Sequence, residues 1–370
     1  MLVLLGAANA AVVVALWVHG GGLHDEAFTS AGRLTGLLGA YLALISLVVV
    51  ARGPRSSLWH RWAGHAVLWL LVAHTVLVTI GYTVANHAGF LSQFTRMIRE
   101  LPGVITATAA LAILIGVAIA NALRRRIRYE TWYFIHLYTY LAVVLGFSHQ
   151  LATGTEFAGD KLARTYWYAV YLLTLVAVLW RLARNKSLRV DRVVEAGDVV
   201  HVEMSGRVDA RPGQFFRCRF LTRGRWFEAH PFSLSAAPPR VRITVKGVGD
   251  FSRGLRSLRP GTRVLAEGPY GGFERHASKL VLVAGGVGIT PIRSLLESLE
   301  GDVVVVHRGE PVLREELDEL GVVIHDRLEL VPDLAEREAY VCGSPEMVDA
   351  TVAALREAGV QRIVTERFAF

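Results

Sequence analysis

The sequence predicts a membrane all-α six-helix bundle, followed by a small β-barrel and an α/β doubly wound domain, and three observations carry that prediction. The first is segregation of apolar residues. Mean hydropathy is +0.38 with 52% hydrophobic residues over 370 positions, and the excess lies almost wholly before residue 184. The second is a run of short β-type segments after Lys186, punctuated by glycine and proline, which suggests a small barrel. The third is regular alternation of strand and helix from Ser278, which argues for a parallel sheet. The expected domains are 1–186, 187–276 and 277–370.

A span needs about 20 apolar residues to cross a hydrocarbon core of about 30 Å. Such runs occur at roughly 2–18, 32–51, 58–82, 103–123, 130–150 and 164–183. The first, with Ala8-Asn9-Ala10, could be mistaken for a secretory signal, but no basic region precedes it, so it is read as a transmembrane helix. Arg52, Arg55, Arg61, Arg124-Arg125-Arg126, Arg128, Arg181, Arg184 and Lys186 flank the spans on one side. That bias places both termini in the cytoplasm of a multi-pass cell-membrane protein. It also accounts for the formal charge of +8 without a nucleic-acid partner. The opposite loops, 19–31, 83–102 and 151–163, carry His19, His24, Asp25, Glu26, His87, Glu100, Glu156 and Asp160.

Ionisable residues within spans are functional candidates by default. The third span holds His60, His65 and His74, and the fifth holds His136 and His149. His60 and His74 are separated by about 21 Å at helical rise, and His136 and His149 by about 20 Å. Helices so spaced pair His60 with His136 and His74 with His149. Each pair offers two axial nitrogens to a b-type haem. Thirteen positions turn about 140° on a straight helix, so His136 and His149 start out of phase. His65 has no counterpart and is read as structural; Arg61 and Arg128 are read as snorkelling to the interface. Only Cys218 and Cys342 are present, and the absence of a CxxCH run argues against a c-type haem.

In the β-rich region, strands are expected at Arg189–Val194, Val199–Met204, Gln214–Phe220, Arg240–Val245 and Thr262–Glu267, with His230-Pro231-Phe232-Ser233-Leu234-Ser235 among them. Lys246 is a candidate for phosphate or adenine. Gly249-Asp250-Phe251-Ser252 is expected to open a helix with Ser252 as N-cap, where free amides suit a pyrophosphate.

In the last domain an apolar strand, Lys279–Ala284, runs into Gly285-Gly286-Val287-Gly288-Ile289-Thr290-Pro291 and a helix. Glycines admit a pyrophosphate to the backbone, and the helix start supplies N–H groups. Pro291 fits the first turn, where a missing N–H costs nothing. The next strand ends at His307-Arg308. An acidic residue there suits NADH and an arginine suits the 2′-phosphate of NADPH; Arg308 favours NADPH, with Glu310 nearby keeping NADH open. Val341-Cys342-Gly343-Ser344-Pro345 closes a later strand, and the chain stops at Glu366-Arg367-Phe368-Ala369-Phe370.

These motifs resemble a known family. The two histidine spans look like the transmembrane domain shared by ferric reductases and NADPH oxidases. The His-Pro-Phe-Ser stretch and Glu267-Gly268-Pro269-Tyr270-Gly271-Gly272-Phe273 resemble the FAD-binding barrel of the ferredoxin–NADP reductase superfamily. The resemblance implies two stacked haems on His60, His74, His136 and His149. It also implies Phe232 against the isoalloxazine, Ser233 near flavin N5, and His230 where relatives place a pyrophosphate-binding arginine. Cys342 would lie beside the nicotinamide, and Phe370 would cover the flavin ring. The implied activity is an NAD(P)H-dependent oxidoreductase passing electrons from cytoplasmic NADPH through FAD and two haems to an outside acceptor. O2 would make it a superoxide-producing NADPH oxidase, and a ferric chelate would make it a ferric reductase. Two alternatives stay open: an electron-donating subunit serving a partner protein or quinone, and a non-catalytic haem sensor or carrier.

Overall fold

A computed structural model of the chain describes residues 2–22, 26–51, 57–272, 277–309 and 312–368. His24, Asp25, Arg52, Arg55, Phe273, Glu310 and Phe370 lie outside the described residues. Two compact units divide at Ala183/Arg184.

The first unit is helical: α1 Leu2–His19, α2 Ala27–Ala51, α3 Ser57–Asn86, α4 Phe90–Glu100, α5 Val104–Ala122, α6 Tyr129–Thr153, α7 Thr155–Ala158 and α8 Lys161–Ala183. Among the described residues, four helices are long and apolar enough to cross a membrane: α2, α3 from Trp59, α5 and α8. Sequence expectation counted six spans. Helix α1 contributes only a shorter apolar stretch, Ala8–His19. Helix α6 has the length, but Glu130, His136, His149, Gln150 and a run of tyrosines dilute its hydropathy. Helix α8 turns Leu162, Leu172, Leu173, Val176, Leu179 and Leu182 outward. So much exposed apolar surface suits lipid rather than water.

Helix α2 lies along α3, and α5 along α6. Small residues permit the first approach: a Cβ on Gly32 would come within 2.6 Å of Val78, and one on Gly39 within 3.0 Å of Leu71. Close backbone approach through small residues is how membrane helices gain packing without a hydrophobic drive. Val13, Leu37, Ala40, Tyr41, Phe157, Ala163 and Trp167 form a core between α1, α2, α7 and α8. The loop expected at 83–102 contains amphipathic α4, which buries Gln93 and Met97; its charges and short length hide it from a search for spans.

The second unit opens with a six-stranded antiparallel sheet: β1 Lys186–Ala196, β2 Val199–Ser205, β3 Phe215–Phe220, β4 His230–Ser233, β5 Val241–Lys246 and β6 Arg263–Tyr270. The order is β4-β3-β6-β1-β2-β5, and a bridge between Leu234 and Ile243 draws the two edges together. Alternation along β3 buries Phe216, Cys218 and Phe220 and turns the intervening residues outward, the period-two pattern of a sheet with one apolar face. Strand β4 was expected only as a motif. At the sheet edge it tolerates Pro231, which has no N–H to donate.

The nucleotide-type sheet follows: β7 Lys279–Gly285, α10 Ile289–Leu296, β8 Asp302–Arg308, α11 Arg314–Glu319, β9 Ile324–His325, β10 Glu338–Gly343, α12 Pro345–Glu357 and β11 Ile363–Arg367, with the short α9 (Asp250–Arg253) earlier, after β5. The strands are parallel in the order β11-β10-β7-β8-β9. Leu280 to Ala284 are wholly buried, as a central parallel strand covered on both faces should be. Each large apolar side chain there contributes roughly 1.5–3 kcal/mol, an upper figure given a partly collapsed unfolded chain.

A charged cluster fastens the two sheets. Arg293 on α10 lies 2.5 Å from Glu297 and 2.6 Å from Glu316, and its Nη1 donates to the Ser235 carbonyl at 3.1 Å. Arg242 reaches Glu316 at 2.7 Å, and the Ser294 hydroxyl donates to the Ala236 carbonyl at 3.0 Å. The helix that starts at the glycine loop is thereby bolted to the backbone just after Ser233.

Candidate functional site

Two constellations emerge, one in each unit. In the helical unit a cavity of about 1230 Å³ runs between α2, α3, α5 and α6, and His60, His74, His136 and His149 all line it. It exceeds the roughly 300–1,000 Å³ of ordinary small-molecule pockets. The rings of His60 and His136 lie 5.9 Å apart, centroid to centroid, with planes crossed at 87°. Those of His74 and His149 lie 6.1 Å apart at 61°. A metal–nitrogen bond of about 2 Å on each side, with half a ring beyond it, sums to roughly 6 Å, so both separations leave room for one metal between the rings. Helix α6 runs unbroken past Gly146, and both of its histidines reach the cavity despite the 140° phase difference.

The two pairs differ in support. His74 Nδ1 lies 2.8 Å from the Gly32 carbonyl and His149 Nδ1 lies 2.9 Å from Thr153 Oγ1. Among the described residues, Nδ1 of His60 and of His136 are buried with no partner, though Trp132 stacks on His136 at 5.3 Å. A Cβ on Gly36 would fall 2.5 Å from His74 Nδ1, so only glycine lets α2 pass there. His65 and Arg61 also line the cavity. Arg128 pairs instead with Glu130 at 3.4 Å. Of the expected outer-loop ionisable residues, Glu156 is buried and forms a 2.7 Å ion pair with Arg33, and Asp160 lies 3.5 Å from His19.

In the second unit the carboxyl ends of the parallel strands gather the other candidates. The order reverses between β7 and β10, the topological switch where open α/β sheets bind ligands. Register places Cys342 beside Ala284 and Glu366, and Gly285 beside Arg308. Gly286 has φ +55°, a left-handed conformation that favours glycine. A Cβ on Gly288 would sit 2.2 Å from the Cys342 carbonyl oxygen. His307 holds the loop from below, with Nε2 3.3 Å from the Gly286 carbonyl and Nδ1 2.7 Å from that of Gly309. The helix begins at Ile289, so Pro291 is its third residue, still within the turn whose N–H groups lack partners. The Thr290 hydroxyl donates to the Val287 carbonyl at 2.9 Å. A Gly343 Cβ would meet Met347 sulfur at 3.0 Å.

Replacing Gly288 by alanine forces this backbone contact apart. Overpacking of this kind costs about 1–3 kcal/mol. The expected result is a lower thermal midpoint and weaker nucleotide binding, measured by calorimetry with and without NADPH.

Ser233 lies 6% exposed, and its hydroxyl donates to Glu366 Oε1 at 3.4 Å. The Tyr340 hydroxyl donates to Glu366 Oε2. Burial lifts the Glu366 carboxyl above the usual range, against the pull of the Tyr340 and Ser233 hydroxyls. Burial, then the Glu366 charge, raises the Cys342 thiol well above its ordinary value. Cys342 is fully buried, so it presents a neutral thiol in the core and no reactive thiolate. Glu366 escaped sequence reading.

His230 lies 3.2 Å from Glu228 and its ring sits 3.9 Å from Phe251. Phe232 stacks on Phe251 at 6.3 Å. Lys246 pairs with exposed Asp198 at 2.7 Å. The N-cap expectation for Ser252 is corrected: α9 starts after Gly249, and Ser252 is its third residue. The Ser252 hydroxyl accepts the Gly249 N–H at 2.9 Å, because a short side chain one turn in can reach back to the cap. That N–H is therefore already satisfied.

The two units define a class, a membrane protein whose second unit joins a six-stranded antiparallel sheet to a parallel sheet of the doubly wound type. The family described as ferric reductase like transmembrane component matches residues 34–147. Ferric reduction oxidase 2 of Arabidopsis thaliana is 26% identical over 311 residues, 75% of this chain and 41% of that protein. The probable cell surface ferric reductase kap2 of Aspergillus oryzae is 26% identical over 286 residues, 69% of this chain and 37% of that one. The electron transfer subunit of a probable dihydroorotate dehydrogenase B (NAD(+)) of Pyrococcus horikoshii is 31% identical over 212 residues, 51% of this chain and 76% of the relative. The chain carries a ferric reductase-like transmembrane component over residues 34–147, followed by a second unit built of an antiparallel and a parallel sheet. It spans about two-fifths of the length of the ferric reductase relatives it matches. A ferredoxin reductase of carbazole 1,9a-dioxygenase overlays on 50% of this chain and 69% of its own, with 22% identity and a TM-score of 0.42.

Proposed function

We propose that the chain is a transmembrane oxidoreductase that draws electrons from cytoplasmic NADPH and delivers them to an acceptor across the membrane. FAD, when bound, takes hydride as an electron pair and releases electrons singly to two b-type haems, each iron accepting one. The observation that carries this reading is the pairing of four histidines at two levels of one cavity. His60 and His136 would hold the haem nearer the cytoplasm, and His74 and His149 the other. Six spans are counted with α1 and α6, since α6 supplies two of the four ligands, and both termini are then cytoplasmic.

In the second unit Gly286, between Gly285 and Gly288, leaves the backbone open to a pyrophosphate, and Arg308 favours NADPH over NADH. Pro231 and Phe232 set the flavin edge, with His230, Lys246 and Gly249 nearby. Phe370 is assigned the cover over the flavin. A flavin beside Ser233 would supply hydride chemistry that leaves a proton to be moved. The Ser233 hydroxyl, which donates to Glu366, would be placed to pass such a proton to that carboxylate. Burial makes the Glu366 carboxylate a stronger base than usual.

The names of the relatives favour ferric iron as acceptor over O2. NADPH-driven reduction of a ferric chelate by purified protein is expected to proceed unchanged when superoxide dismutase is added. Loss of the signal on that addition would move the acceptor to O2. The similarity to an electron transfer subunit supports one second reading, donation to a partner protein. It predicts no chelate reduction until that partner is supplied.

A further inference from the structure

The histidine pairs have the same ligand atoms to offer but different surroundings. Thr153 Oγ1 lies 2.9 Å from His149 Nδ1, and the same oxygen lies 2.9 Å from the His149 backbone carbonyl one turn back. A threonine hydroxyl has one hydrogen and two lone pairs. If it donates to Nδ1, its bond to the carbonyl is lost. If it donates to the carbonyl, a lone pair accepts Nδ1–H, and both contacts are hydrogen bonds. The second arrangement satisfies more groups in a buried setting, where an unmade bond is costly. It also leaves the lone pair on Nε2.

Across the cavity the logic is tighter. The Gly32 carbonyl, 2.8 Å from His74 Nδ1, can only accept. Nδ1 of His74 therefore carries the hydrogen, and Nε2 again bears the lone pair. Gly36 provides the clearance that lets α2 present this carbonyl. Among the described residues, no such partner meets Nδ1 of His60 or His136.

We infer that Thr153 and the Gly32 carbonyl are positioning groups that lock the His74–His149 pair in the ligating tautomer and make it the more basic of the two ligand pairs. The inference rests on the reading of these histidines as haem ligands. Donation of the second ring N–H to an acceptor fixes ring orientation and raises ligand basicity, and losing such a partner typically weakens metal affinity 10–100-fold. A more basic imidazole favours the oxidised iron. A haem on His74 and His149 would therefore be held at a more negative potential than without Thr153, and more firmly.

The test is a spectroelectrochemical titration of the full-length holoprotein, with haem content measured alongside. In Thr153→Val, which keeps the shape and removes the hydroxyl, one of the two reductive steps moves to more positive potential and the other stays. Retention of that haem falls about 10–100-fold, and Thr153→Ser restores both. Should valine not be tolerated, Thr153→Ala gives the same readout. Two unshifted steps with both haems retained would overturn the role of Thr153, as would an equal shift of both. Wild-type protein lacking two haems would instead overturn the ligand reading beneath it.

Discussion

Replacing His74 by leucine should reduce haem content from two per chain to one and abolish reduction of any acceptor outside the membrane, while NADPH still bleaches the flavin. The leucine fills an apolar site but offers no nitrogen to a metal. Its partner His149 keeps its hydrogen bond to Thr153, so the loss falls on ligation rather than on the helix. Flavin reduction survives because Ser233, Glu366 and the glycine loop lie within Arg184–Phe370, a compact unit of its own. Stopped-flow absorbance separates the steps: the flavin signal should follow NADPH at its wild-type rate, and steady-state chelate reduction should fall to background. External turnover at the wild-type rate would remove His74 from the circuit.

The second large effect is expected at Glu366. Glu366→Gln keeps the shape and the partner for Tyr340 but cannot receive a proton. Positioned acid–base groups are worth about 10²–10⁴-fold in rate, so turnover should fall by about 10²-fold with little change in the KM for NADPH. The pH profile is the sharper readout. Glu366 acts as base only when ionised, and burial raises its pKa. Wild-type turnover should therefore rise with pH through a value above the usual carboxylate range. The glutamine variant should lose that limb. A limb that persists in the variant would assign it to another group.

These two residues mark how far the sequence could be read. His74 declared itself, because a histidine in an apolar helix is costly and its spacing to His60 is nearly matched by that of His136 and His149. Glu366 did not. It sits in a charged stretch, Thr365 to Arg367, and nothing local separates it from a surface glutamate. Only parallel pairing of β11 with β10 sets it beside Cys342. The glycine loop was legible as a phosphate turn, whereas the reason for Gly288 lies in the Cys342 carbonyl, distant in sequence. Gly32 was silent for the same cause, since its partner His74 is set by helix packing. Thr153 lies one turn from His149 on the same helix but reads as an ordinary helical threonine bonded back to a carbonyl. Ser252 misled because serine serves either as a cap or one turn inside it, and Gly249 took the cap. Helix α4 was taken for loop because it is neither apolar nor long enough to span.

The central claim is that His60, His136, His74 and His149 hold two haems at separate levels of one cavity. The most direct measurement is the dithionite-reduced spectrum and haem-to-protein ratio of the purified chain, beside those of His60→Leu and His74→Leu. The account predicts b-type bands with two haems per chain in the wild type and one in each variant. Absence of b-type bands, or a single haem removed equally by either substitution, would contradict it.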